Sequence, residues 1–294
     1  MGGPIDEFFG AGTSQLVANL ITRDSDLVPQ LQVLRQIVTG QIDADRTDYL
    51  LRDSHHCGVD YGRFDYQRLI ESLNLVEDEL GFPDLALERG GLHAFEALIL
   101  ARYQMNTQVY YHRLRQLYDH YLVEYFKAAG YDEPPALEDA LRQDDVGVTA
   151  QMARDSADLL TNRGSWARRI MERDHHWLVH ETGASTNAID LKRSRRVLNV
   201  LEKSFPGIGF LHLTADANIH KLLRPDDASE EGLVRFSVIS RDGTARQVGE
   251  ESQILGYVPR KYQCARIFAD SPRSNKAQRI EITEQAAKAW MEGG

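Results

Sequence analysis

The sequence predicts a mainly α-helical protein that ends in a small α+β lobe. Three observations carry this reading. Apolar residues recur at helical spacing through most of residues 13–203. One long helical pattern runs from about His93 to Ala129, with Leu98, Ala101, Met105, Val109, Leu114, Leu117, Tyr121 and Tyr125 along its stripe. After Phe205 the apolar runs shorten to GIGFLHL, LVRFSVIS, QILGYV and CARIFAD, and Arg241-Asp242-Gly243-Thr244 offers an Asp-Gly hairpin turn.

Taken in order, residues 1–12 are glycine-rich and expected to be poorly ordered. Leu16, Val17, Leu20, Ile21, Leu27, Leu31 and Leu34 then predict two helices up to about Ile37, with Asp24-Ser25-Asp26 capping the second. A helix within the segment 40–58 follows, then a turn at Val59-Asp60-Tyr61-Gly62. Leu69, Ile70, Leu73 and Val76 predict a helix from Phe64 to Glu77, and residues 80–92 read as a Gly/Pro-punctuated connection with a short extended piece. Gly130 closes the long helix, and Pro134-Pro135 bars its resumption. Further helices are expected at about 136–143, 146–161, 164–173, 190–203 and 283–292. This organises the chain as residues 1–135, a helical extension over 136–204, and a small lobe over 205–294.

At 294 residues the chain can bury a sizeable core. Its net charge of −10 argues against coating nucleic acid, which needs clustered positive charge, but leaves room for a local basic pocket. Cys57 and Cys264 give no disulfide framework and fit a reducing compartment. No apolar run has the length of a membrane span, and the first residues carry no secretory signal, so a cytoplasmic protein is expected.

The chemistry concentrates in GQIDADRTDYLLRDSHHCGVDYGRFDYQRLI, residues 40–70. At roughly 100° per residue, Asp45, Tyr49 and Asp53 share one helix face with Arg46 at its margin, while Ile42, Leu50 and Leu51 can turn to a core. Acids, a base and a phenol on one face suit a metal and an anionic substrate. A second constellation, Arg102, Asn106, Tyr110 and Arg113, has spacings of four, four and three residues that keep all four on one stripe of the long helix. Other readings stand beside these: Asp45 as a helix cap, Tyr49 as a half-buried core residue, Arg52-Asp53 as a helix-end ion pair, and the second stripe as solvated surface. His55-His56 point in different directions on a helix. His176 and His180 have the spacing of a helical zinc pair, but Trp177 stands where a zinc protease needs its glutamate. Gly207-Ile208-Gly209 is only a turn.

The segment at 40–70 resembles the last metal-binding motif of HD-superfamily phosphohydrolases, and within them the deoxynucleoside triphosphate triphosphohydrolases. ALRQDDVGVTAQM, RGSWARRIMERDHHWLVHETG and GTARQVGEESQILGYVPRKYQCARIFAD are similar to the helices and the HD-associated lobe that follow the core in that family. The resemblance implies a partial HD-domain helical core, followed by helices and a small C-terminal α+β lobe. It implies a divalent metal (Mg, Mn, Fe or Zn) held by a His, a His-Asp pair and a distant Asp, the last matching Asp45. By the same resemblance Arg46 faces phosphate, Tyr49 the deoxyribose and Asp53 the sugar 3′-hydroxyl. Arg102 would touch phosphate or base, and Tyr110 would pack on the sugar, with Arg113 closing the motif. Asn106 stands where the family commonly has His. Arg173 matches an arginine of a regulatory nucleotide site between subunits.

No histidine precedes His55, so the His and His-Asp half of the pattern has no match in these residues. Two functions are therefore expected in parallel. One is deoxynucleoside triphosphate hydrolysis by a metal-activated water, with a separate chain supplying the missing half and a homo-oligomer as the assembly. The other is a non-catalytic nucleotide-binding or oligomerisation module, or the product of a truncated gene.

Overall fold

The computed structural model describes residues 3–22, 28, 31–78, 80–130, 141–184, 187–227, 233–270 and 275–292. The expected caps at Asp24-Ser25-Asp26, the stop at Pro134-Pro135 and most of the 136–143 helix lie outside them. The chain divides into two units, one of residues 1–108 and 217–262, the other of residues 109–216 and 263–294.

The first unit opens with α1 (Gly3–Phe9), α2 (Thr13–Thr22) and α3 (Gln32–Thr39), in which no residue is buried; Phe8 stays 82% exposed. Residues expected to be poorly ordered thus include a helix. α4 (Ala44–Cys57) follows with Asp43 as its N-cap, then α5 (Tyr66–Glu71) with Asp65 capping Arg68 N. The helix expected through Glu77 stops at Ser72, and Leu73–Glu77 is instead strand β1. β1 pairs antiparallel with β2 (Pro83–Glu88), and Asp78 closes the hairpin by accepting from Leu80 N and Phe82 N. Pairing with β2 satisfies the backbone of 73–77 in the strand, which overrides a helical spacing carried by so few residues.

A four-stranded sheet runs β1-β2-β5-β6, with β5 (Ser237–Ile239) parallel to β2 and β6 (Ala245–Gln247) antiparallel to β5. α6 (Leu92–Met105) buries Phe95, Leu98, Ile99 and Met105 and contacts α4 and α5, which bury Leu50 and Leu69; Leu87 of β2 and Val238 of β5 are buried too. Phe95 stacks on Phe236 at 5.2 Å. The QILGYV stretch, expected as β, forms a short helix over Gln253–Tyr257, whose capping Ser252 also donates to buried Glu96 at 2.5 Å.

The long helix expected over 93–129 is two helices. α6 ends at Met105, a π-helical turn spans Asn106–Tyr110, and α7 (Arg113–Ala128) restarts with His112 as its cap. A π turn bonds residue i to i+5, which moves later residues off the α-helical stripe.

The second unit contains α7, α8 (Asp145–Asp155), α9 (Asn162–Met171), α10 (Ala188–Ser204) and a three-stranded sheet ordered β3-β7-β4. Its strands are β3 (Trp177–Glu181), β4 (Phe210–Asn218) and β7 (Lys261–Ala269), and α13 (Lys276–Glu292), which follows the short α11 (Val248–Glu251) and α12 (Gln253–Tyr257) of the first unit, packs on α10. Val197, Leu201, Ile267, Ile282 and Ala286 form one core cluster, and Leu117, Tyr121 and Phe268 another. His180 lies in a strand and His176 immediately before it, so their four-residue spacing is not a helical pair. Buried His176 instead bonds through Nδ1 to Tyr121 Oη at 2.7 Å. No described helix is long and apolar enough to cross a membrane.

Candidate functional site

The site starts at the N-terminus of α4. Asp43 is 5% exposed and accepts from Arg46 N at 2.7 Å, which fixes the first turn. The same carboxylate pairs with Arg46 Nη1 at 2.7 Å, and that guanidinium also donates to the Gly40 carbonyl. At the other end Gly58, with φ +67°, takes the left-handed conformation of a helix C-terminus. Ser54 ties the turn back by donating to the Val59 carbonyl at 2.5 Å and accepting from Gly62 N at 3.2 Å. A Cβ on Gly62 would lie 2.2 Å from the Leu50 carbonyl oxygen, so only glycine permits this approach. Both ends of the motif helix are thus locked, with Leu50 in the core and Tyr49 and Asp53 half-buried.

Arg102, on the last turn of α6, joins this face. It is 9% exposed and donates through Nη2 to the Asn218 carbonyl at 2.7 Å. A hydrogen bond also links it to Tyr49. Its Nε is buried with no hydrogen-bond partner among the described residues. Asn106 donates through Nδ2 to the Arg102 carbonyl at 2.8 Å, which holds the end of α6 as the helix passes into the π turn.

The electrostatics are those of a shared, partly dry site. Burial lowers the Arg102 pKa and Arg46 pushes it further, while Tyr49 and Asp43 oppose. Burial raises Tyr49, against the two arginines, and raises Asp43, against Arg46. Asp45 enters the surroundings of both Asp43 and Tyr49, so Asp43, Asp45, Arg46, Tyr49 and Arg102 form one interacting set. Arg46 is already paired with Asp43, so the guanidinium left to attract an anion is that of Arg102, whose charge is disfavoured by burial and by Arg46.

Tyr110 and Arg113 belong to the second unit, and the π turn separates them from the helical phase of Arg102 and Asn106. Arg113 is exposed and lines a cavity of about 280 Å³ with Trp177, Phe268 and Arg279. Arg52 pairs with Asp48 at 2.5 Å. Asp43 was not singled out among the candidate residues. Its signal was available: an Asp immediately before the first helical residue is a preferred N-cap.

Asp45 itself is exposed on the first turn of α4. Among the described residues no three His, Cys, Asp or Glu come together as metal ligands. One carboxylate falls short of the coordination that Mg²⁺ or Mn²⁺ requires, and Asp43 is committed to the cap and to Arg46. The described residues therefore do not fit a divalent metal by themselves.

Residues 64–196 match the sequence model of the HD associated region. The chain is similar to a hypothetical protein from Aquifex aeolicus, at TM-score 0.70 and 22% identity over 96% of this chain and 67% of that one. It is similar to a phosphohydrolase from Bacteroides thetaiotaomicron, at TM-score 0.63 and 20% identity over 91% of this chain and 69% of that one. The chain shares the fold of these two structures. Among curated proteins, the chain is 43% identical over 76 residues to the uncharacterized protein YwfO of Bacillus subtilis, covering 26% of this chain and 16% of that protein. It is 43% identical over 77 residues to the uncharacterized protein MJ1154 of Methanocaldococcus jannaschii, covering 26% and 17%. The matched segments thus span less than a fifth of these two relatives.

Proposed function

We propose that this chain forms the nucleotide-binding wall of an HD-type phosphohydrolase site whose substrates are deoxynucleoside triphosphates. The observation that carries this is the meeting of Arg46, Tyr49 and buried Arg102 around Asp43 and Asp45. A guanidinium kept out of water with an unpartnered Nε is suited to a phosphate oxygen, which supplies the missing acceptor. Tyr49 offers an apolar ring for the deoxyribose, and Asp53, one helical turn further on, an acceptor for its 3′-hydroxyl. Asp45 would contribute one ligand to a divalent ion whose imidazole ligands come from polypeptide outside these residues, and hydrolysis depends on that completion. Homo-oligomerisation is part of the same proposal.

The second reading is a binding module without turnover. Its favouring observation is that Arg46 is already neutralised by Asp43, an arrangement stable without any metal.

Calorimetry with a panel of deoxynucleoside and ribonucleoside triphosphates, with and without Mn²⁺, tests both. Binding that favours the deoxy form and weakens in Arg102→Leu is expected. Absence of binding to any triphosphate would overturn both readings. Release of inorganic triphosphate by the chain with Mn²⁺ alone would show that it completes the metal centre from its own residues.

A further inference from the structure

Arg102 does not hold its place through α6 alone. Its Nη2 is anchored 2.7 Å from the carbonyl of Asn218, the last residue of β4, and the chain turns immediately afterwards. Ile219 N and His220 N both donate to the Arg260 carbonyl, at 2.7 and 3.3 Å. Arg260 in turn donates through Nη1 to Asp227 at 2.7 Å and through Nη2 to the Leu222 carbonyl at 3.0 Å. Lys221 N donates to Gln41 Oε1 at 3.4 Å, so the same turn also touches the residues that lead into α4.

In the middle of this turn sits His220, 1% exposed and unused by the reading above. Its Nδ1 accepts from Leu222 N at 3.3 Å, which leaves the proton on Nε2, within 3.3 Å of the Val258 carbonyl. Arg224 Nη2 donates to that same carbonyl at 2.5 Å. Both ring nitrogens therefore pin backbone, one inside the turn and one across from it. Removing the ring would leave the buried Leu222 N–H without this acceptor.

We propose that His220 is a positioning residue for Arg102: its imidazole fixes the Asn218–Leu222 turn, whose carbonyl holds the guanidinium in the nucleotide site. This rests on the nucleotide-binding reading for its functional consequence but not for its geometry. A neutral ring is what the place demands. Burial first, then Arg224, Arg260 and Arg102, drive the His220 pKa down to about 4, against the bond to Val258.

Two measurements on the intact chain test this, dGTP affinity by calorimetry and the exchange rate of the Arg102 Nε–H after arginine-selective ¹⁵N labelling. His220→Leu is expected to weaken dGTP binding about tenfold and to speed Nε–H exchange by a similar factor. His220→Asn keeps an acceptor for Leu222 N–H and should stay within about threefold of the parent. In an Arg102→Leu background His220→Leu should have no further effect on affinity, because the two act as one unit. If His220→Leu fails to fold, His220→Gln, which keeps a donor but not the Nδ1 acceptor, should reproduce its losses. Equal losses in both backgrounds, or unchanged Nε–H exchange in the folded variant, would overturn the proposal. A parent chain that binds no dGTP would sink the nucleotide reading, and the exchange data would still decide whether His220 positions Arg102.

Discussion

Arg102 and Arg113 stand on a stretch that reads as one helical stripe, yet the fold treats them oppositely. Arg102 is taken out of water, bonded to Asn218 and Tyr49, and its pKa is lowered by burial. Arg113 is exposed at the first turn of α7 in the other unit. The π turn between them is the physical divide, because each residue after Met105 is rotated off the α-helical phase. The difference teaches where to look for function. Burying a guanidinium costs several kcal/mol unless charge or hydrogen bonds answer it, so its burial needs a partner, whereas an exposed one needs no explanation.

The widest separation between the two is expected from Arg102→Leu and Arg113→Leu. The first should weaken triphosphate binding about a hundredfold, ~3 kcal/mol for charge-assisted hydrogen bonds in a partly buried site. Its effect on stability should be small or favourable, since a buried charge is replaced by an apolar side chain. Arg113→Leu should change affinity less than about twofold. Calorimetry together with urea unfolding reads both quantities. Equal loss of affinity in the two variants would break the comparison.

Acid should act on both units through one buried imidazole in each. His220 and His176 are both held at about 4, chiefly by burial, against about 6.5 in an unfolded chain. Between those values the unfolded chain holds more protons, so stability is full above about pH 6.5 and falls as the pH drops towards 4. Each ring should contribute about 3 kcal/mol across that window. Carboxylates held low, such as Asp227 and Asp242, titrate below it, and Asp43, raised by burial, works in the opposite direction. Urea unfolding at several pH values should show the slope, and His220→Asn should flatten it for the first unit. A slope unchanged in that variant would remove His220 from the account.

Much of the site was legible in the sequence, and the failures have physical causes. The α4 motif was readable because its signal is local: Asp45, Tyr49 and Asp53 at helical spacing on one face, with Leu50 turned to the core. Arg102 was found for its place in a motif, but its burial was not, because that depends on Asn218, which joins it only through tertiary structure. Leu69, Ile70, Leu73 and Val76 satisfy helical spacing, yet Leu73 and Val76 lie in β1, where hairpin pairing decides. The π turn left no mark in hydrophobic period. Trp177–Glu181 is a strand because β7 pairs with it, a contact between residues far apart in sequence.

A smaller effect separates the two aspartates at the start of α4. Asp43→Ala removes the cap and leaves Arg46 without its carboxylate, so a loss of about 1.5 kcal/mol is expected. Asp45→Ala changes an exposed side chain and should stay within about 0.5 kcal/mol, its consequence appearing in metal-dependent binding. Urea midpoints at pH 7 resolve that gap, and equal midpoints would mean that Asp43 does not hold the helix end.

The smallest effect belongs to an exposed ion pair on the same helix. Arg52 and Asp48 pair at 2.5 Å with both side chains more than half exposed. In water such a pair gains little Coulomb energy and must immobilise two side chains, so Arg52→Ala should cost less than about 0.5 kcal/mol and fade in high salt. Affinity for triphosphates should change less than about twofold, because Arg52 is exposed and already paired with Asp48. A larger loss of binding in Arg52→Ala would bring this exposed pair into the anion site, which would then have to be redrawn to include Arg52 beside Asp45 and Tyr49.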